Sequence, residues 1–447
     1  MRILTALFFL MYFNGVYSQC YETISKKGYH TLALREDGSL WAWGMGENGQ
    51  LGDGASTTRT SPVPIGNSTD WESISAGVSH SAAIKGDGTL WRWGSNYYGG
   101  LGNGTTNDGH SPAQMGNSVW QTVSAGMYYT TAIRQDGTLW AWGYNEEGQL
   151  GDGTTANKLI PVQVGNSNDW VYVYSGYIHT LAIKSDGSLW AWGHNGYGKL
   201  GIGSDAGIVV TSPVQIAIGQ SWSKVAMGQH FTVALRTDGT LWSCGSFTGM
   251  GTGTMEDSNI LTQIGNDNDW LNFSTGDVQV LAIKTDGSLW AWGSNYNGEY
   301  GDGTTAESYV PVPIGTDSWN IAETGASSSA GIKADGTLWG WAWSTGNGTP
   351  DVYYSPVPVA CQPLSVDSNS MHQLVLYPNP TLSQLHFQFG NNAVADSFSV
   401  YDMFGRKVMT KLNPDSSIEV GSLSDGMYVV EVVSGQNKYT SKFFKTH

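Results

Sequence analysis

Short apolar runs broken by Gly-containing turns recur along most of the chain, a pattern that suits strands and not helices. In one stretch, residues 81–85 (Ser-Ala-Ala-Ile-Lys) form a run, Asp87-Gly88 follows, and residues 90–93 (Leu-Trp-Arg-Trp) form the next. Asp-Gly between two such runs supplies the positive backbone angles of a tight hairpin, which predicts a pair of antiparallel strands. Trp91 and Trp93 fall on one face of the second strand and Leu90 on the other. Both faces are bulky and apolar, as expected of a sheet covered on both sides.

The phrase Asp-Gly-Ser/Thr-Leu-Trp that carries this hairpin begins at Asp37, Asp87, Asp136, Asp186, Asp238, Asp286 and Asp335. Around it lies a longer unit, read in its second copy as Trp71-Glu-Ser-Ile-Ser-Ala-Gly, His80-Ser-Ala-Ala-Ile-Lys, Asp87-Gly-Thr-Leu-Trp-Arg-Trp-Gly, a Gly-rich loop and Ser111-Pro112. Four short strands fit in that length. Repeated units of this size that bury both faces predict a closed seven-bladed β-propeller. Composition agrees: the 447 residues include 60 Gly, 20 Trp and 22 Tyr, and every Trp falls between Trp41 and Trp343. The wording of the unit, with Gly-Gln-Leu-Gly-Asp-Gly in its loop, resembles the regulator of chromosome condensation repeat. That resemblance implies the propeller fold and carries no nucleotide-exchange role with it.

Charge narrows the partners. With 37 acidic and 21 basic residues the net charge is −16, so the surface repels phosphate backbones and nucleic acid is not expected as a partner. Arg2, the apolar run 3–13 and Val16-Tyr17-Ser18 read as a signal peptide over residues 1–18. No later stretch approaches the roughly 20 apolar residues that span a bilayer, so the mature chain is expected to lack a membrane span. Gln19 precedes Cys20, which disfavours lipid attachment at that cysteine. The mature chain is read as a propeller over 19–362, a linker over 363–371 and a β-sandwich over 372–447. A monomer is expected.

A propeller must join its last blade to its first, and Cys20 and Cys361 stand at the two ends of the array. A disulfide between them is expected in an oxidising compartment. Cys244 replaces the second Trp of Trp-x-Trp in the fifth unit and reads as a buried apolar residue, not a nucleophile.

Turns of a meander alternate between the two rims. The Asp-Gly hairpins share one rim, and the turns after Ser-Ala-Gly share the other with the loops after Trp-Gly. On this second rim the sequence places Tyr29, Tyr97, Tyr98, Tyr128, Tyr129, Tyr144, Tyr177, Tyr197, Phe231, Phe247 and Tyr296, with Glu146, Glu147 and Asp277 among them. Tyrosine-rich loops on a rigid frame suit capture of a protein or glycan. A glycan-active enzyme using rim carboxylates is the alternative, and a purely structural module a further one. His30, His80, His179 and His230 are assigned to the repeat position after Ser-Ala-Gly and to a structural role. No catalytic, phosphate-binding or calcium-loop motif occurs, and Gly-Asp-Gly-Thr-Thr at 151–155 and 301–305 reads as a turn. No cofactor, metal or catalytic residue is assigned.

Tryptophan is absent from the tail, whose phrases are Leu376-Tyr-Pro-Asn-Pro-Thr381, Ser399-Val-Tyr-Asp-Met-Phe-Gly-Arg-Lys-Val408 and Leu423-Ser-Asp-Gly-Met-Tyr-Val-Val-Glu-Val432. Together they resemble the type A C-terminal sorting domain of the type IX secretion system of the Bacteroidetes. The resemblance implies recognition by the secretion machinery and a secreted or cell-surface protein.

Overall fold

Each Asp-Gly phrase folds as the hairpin its residues dictate. In the second unit Gly88 takes φ 78°, and Asp87 Oδ1 accepts from the Thr89 amide at 2.9 Å and the Thr89 hydroxyl at 2.7 Å. Thr89 Oγ1 in turn accepts from Trp91 Nε1 at 3.0 Å. The same relay recurs at Asp136, Thr138 and Trp140. In each of these units one carboxylate closes the turn while the hydroxyl it holds anchors the following indole.

The computed structural model describes residues 21–203, 207–360, 374–377, 381–389, 395–402, 407–412, 417–434 and 437–446. The expected signal peptide, the expected linker and both Cys20 and Cys361 lie outside them. The chain divides into two compact units, Met1–Cys361 and Gln362–His447.

In the first unit, residues 21–64, 71–114, 120–163, 170–216 and 222–263 each form a four-stranded antiparallel meander, and residues 270–358 form a seven-stranded sheet. One long strand, Ser308–Thr324, belongs to two blades. Its first part pairs with the strand before it, as at Ile314 opposite Leu289. Its last part pairs with the strand after it, as at Trp319 opposite Lys333. Divided there, the sheet is two further meanders, and the architecture is the seven-bladed propeller.

The first strand of every blade lines a central channel, and the fourth, such as Gly109–Gln114, is largely exposed. The tryptophan faces make the stack. Trp93 packs with Leu32, Leu40 and Ala42 of the preceding blade, and its Nε1 donates to Gln50 O of that blade's loop at 2.9 Å. Leu90, on the opposite face, packs with Trp120 and Trp142 of the following blade. The bond recurs at Trp142 to Gly100 O, 2.8 Å, and Trp192 to Gln149 O, 2.9 Å. In the fifth blade Cys244 Sγ donates to the equivalent carbonyl, Lys199 O, at 3.4 Å. Burial drives its pKa up to about 12, which leaves a thiol, not a nucleophilic thiolate.

Two rows of hydrogen bonds sew the inner strands together. Ser25, Ser75, Ser124 and Ser274 each accept a backbone amide from the next blade, at Ala76, Ala125, Ser175 and Thr324. At the rim, backbone amides reach across to the next blade, as from Val78 to Gly126 O at 3.2 Å and from Met127 to Gly176 O at 3.1 Å.

The second unit contains a three-stranded sheet (Leu374–Tyr377, Gln384–Phe389, Ser417–Glu419) and a four-stranded sheet (Lys407–Leu412, Ser397–Tyr401, Gly426–Ser434, Asn437–Lys445). Leu385, Phe387 and Ile418 of one pack with Phe398, Val400, Val430, Val432 and Phe443 of the other in a shared core. This is a small β-sandwich.

Candidate functional site

The rim singled out by the sequence contains three kinds of aromatic residue. Tyr129 and Phe231 are fully buried, which corrects their placement on a binding face. The strand register explains it: Tyr129 lies opposite Gly143 and Phe231 opposite Gly245, as His179 lies opposite Gly193. They stand where other blades place the repeat histidine. By the same register Phe231, not His230, occupies that position in the fifth blade, and His230 lies one residue earlier.

The repeat histidines bridge blades. His30 Nε2 lies 2.8 Å from Ser81 Oγ and His80 Nε2 lies 2.8 Å from Thr130 Oγ1. Burial pulls their pKa values down to about 3 and about 4, so both are neutral in the folded chain at physiological pH. They are structural groups distributed around the ring.

Tyr177 is the second kind. It is 9% exposed, and its hydroxyl donates to Asp277 Oδ1 from a blade two places away. Burial raises the Asp277 pKa, and burial together with the Asp277 charge raises that of Tyr177. The pair joins the rim turns of the fourth and sixth blades.

The remaining rings are accessible, and four of them converge. Tyr98 lies 4.7 Å from Tyr97, 5.4 Å from Tyr128 and 4.7 Å from Tyr144 between ring centroids. Tyr97 is 71% exposed at the edge of this cluster, and the Tyr144 hydroxyl donates to Glu146 Oε2 at 3.4 Å. Tyr128 holds φ 64°, a left-handed backbone that non-glycine residues seldom adopt. Such strain concentrates where a side chain is presented for use. Tyr197, also left-handed at φ 63°, packs against His230 with centroids 5.0 Å apart. Phe247 packs against Tyr309 at 5.8 Å, while Tyr296 stands apart, 80% exposed. The single aromatic rim expected from sequence is therefore one four-ring cluster with separate smaller contacts.

The Gly-Asp-Gly loops are turns. Asp152 Oδ1 accepts from the Thr154 amide at 3.0 Å and hydroxyl at 2.8 Å, and Lys158 pairs with its other oxygen at 3.2 Å.

A profile of the RCC1-like domain matches residues 17–332. This chain belongs to the RCC1-like domain family. A second profile, the secretion system C-terminal sorting domain, matches residues 375–446. Among solved structures the chain is similar to Prp20p from Saccharomyces cerevisiae, at 22% identity and TM-score 0.64, covering 71% of this chain and 84% of that one. It is also similar to human WBSCR16, at 20% identity and TM-score 0.63, covering 69% of this chain and 85% of that one. Identities this low establish the RCC1-like fold alone. Comparison with curated proteins finds no match. The sorting domain marks this RCC1-like protein for export through the type IX system to the cell surface or beyond and implies contact with the secretion machinery. Among the described residues no helix is long and apolar enough to cross a membrane.

The channel holds charged residues that reading along the chain passed over. Lys27 stands where the other six blades place Gly77, Gly126, Gly176, Gly228, Gly276 and Gly325. Its ammonium crosses the channel to donate to Ala125 O at 3.1 Å and to Ser175 O, and lies 4.1 Å from the centroid of the Tyr174 ring. Glu323 occupies the serine position of the inner row, and Lys224 lies on the inner strand of the fifth blade. Aligning the seven units with one another exposes these departures, whereas a search for motifs does not.

Proposed function

We propose that this RCC1-like protein is an exported binding protein that engages a protein or glycan through the Tyr97, Tyr98, Tyr128 and Tyr144 cluster, without catalysing a reaction. The convergence of four tyrosines from two adjacent blades into one accessible patch carries the reading. Tyrosine offers large contact area at small entropic cost, with a hydroxyl for hydrogen bonding. Asp277 is committed to Tyr177 and Glu146 to Tyr144, so two of the rim carboxylates already have partners. The frame is held by tryptophan stacking and backbone bonds, which leaves the loop tips free to carry specificity.

The test compares the full chain with a Tyr97→Ala/Tyr98→Ala variant on a glycan array and in capture of surface proteins from the organism's surroundings. Loss of a specific ligand with an unchanged melting midpoint is expected. Capture equal to that of the parent chain would place the binding face elsewhere. Glycan turnover by the parent chain would favour the enzymatic alternative.

A further inference from the structure

We propose that the central channel binds a small hydroxylated anion, a molecule of monosaccharide size carrying a carboxylate or a phosphate. The cavity is about 340 Å³ and is lined by the inner strands of all seven blades. Lys26, Lys27 and Lys224 face it against Glu323 and Glu72. In a chain of net charge −16, this is a local inversion of sign.

Lys26, Lys27 and Lys224 stand outside the repeat pattern. The lysines that serve the repeat sit over tryptophan faces and pair with aspartates, as Lys85 does with Trp71, Trp91 and Asp70. Lys26 Nζ instead donates to Thr31 Oγ1 at 2.8 Å, and Lys224 Nζ to Asn272 Oδ1 at 2.6 Å. Among the described residues neither makes an ion pair. An ammonium has three donors, so each retains hydrogen-bonding capacity toward the cavity. Burial holds the pKa values of Lys26 and Lys27 down at about 7, although the Glu323 carboxylate partly offsets this for Lys27, and a bound anion favours the charged forms further.

The remaining chemistry selects hydroxyl groups on the same ligand. Glu323 Oε2 accepts from Ser274 Oγ at 2.8 Å and can accept further bonds, while Tyr172 and Tyr174 supply ring faces to the lining. Lys27 spans the cavity at the end toward the aromatic rim. Lining residues pass from buried Lys26 and Lys27 through half-buried Lys224 and Glu323 to exposed Glu72, so entry is from the rim of the Asp-Gly hairpins.

Calorimetric titration of the full chain with glucuronate and glucose 6-phosphate tests the site, with glucose as the uncharged probe and succinate as the anion without hydroxyls. Either or both charged sugars are expected to bind, the pattern identifying the preferred oxyanion, with glucose and succinate at least tenfold weaker. Lys224→Thr and Lys26→Ala introduce residues that other blades carry at those places, Thr122 and Ala76. Both should weaken binding at least tenfold with little change in melting midpoint. Glu323→Ser restores the residue of the inner row and should tighten binding of inorganic phosphate, a gain that misfolding cannot mimic. The proposal is overturned if neither charged sugar binds, if glucose or succinate binds equally well, if the lysine variants retain parent affinity, or if Glu323→Ser fails to strengthen phosphate binding. The rim proposal stands independently of every one of these outcomes.

Discussion

The backbone amide of Ala326 donates to the carbonyl oxygen of Gly28 at 3.2 Å, tying the seventh blade to the first with the type of bond that joins Val78 to Gly126. An apolar seam backs it, in which Trp43 and Tyr21 of the first blade pack with Ile332, Leu338 and Val359 of the last. Ring closure thus has a non-covalent basis in the described residues.

Trp43→Ala should cost about 3–5 kcal/mol, the range for emptying a large aromatic site in a core. Tyr97→Ala should stay within about 0.5 kcal/mol. Urea denaturation of the two variants checks the contrast. Peptide mapping without reductant checks the expected pairing of Cys20 with Cys361.

Cys244 should resist alkylation in the native protein at mildly alkaline pH and react only after unfolding. It is fully buried, and its pKa of about 12 leaves almost no thiolate. Mass-spectrometric mapping of labelled cysteines distinguishes it from the other two. Rapid native labelling would contradict the buried packing.

Acid should weaken the propeller through its repeat histidines. In the unfolded chain these imidazoles protonate near pH 6.5, whereas His80 in the folded chain does so only near 4 and His30 near 3. The unfolded state therefore binds more protons below pH 6.5, and stability falls as pH drops through that window. Each histidine contributes a slope of about 1.4 kcal/mol per pH unit between roughly pH 6.5 and 4. His80→Gln should remove one such contribution, since Gln279 already holds this position in the sixth blade and bonds Thr324 Oγ1 at 2.9 Å. Denaturation midpoints measured across that pH range report the change.

Tyr177→Phe should lower stability at neutral pH by about 1–3 kcal/mol, because it strips Asp277 of its donor in a largely buried place. Tyr97→Phe should have almost no effect on folding. Thermal melts of the pair separate the buried Tyr177 from the exposed cluster.

Much of the architecture was legible because each unit carries its own instructions. Asp87, Gly88, Thr89 and Trp91 specify a hairpin and an anchored indole within five consecutive positions, and repetition of that phrase specifies the number of blades. The candidate site was legible only in part. Tyr128 and Tyr129 are neighbours in sequence, yet one belongs to the accessible cluster and the other is fully buried. A loop residue's exposure depends on whether the next blade covers it, and that is not encoded locally.

The sequence by itself determined the seven meanders, the two faces of every strand, the rim to which each turn belongs and the sorting domain that follows. These follow from turn chemistry, the two-residue period of a strand and recurrence of the unit. The tertiary structure alone decided which rim tyrosines meet, that Phe231 fills a histidine site, and that Lys26, Lys27, Lys224 and Glu323 face one cavity. Those residues come from the first, fifth and seventh blades, and only closure of the ring brings such distant positions around a common axis.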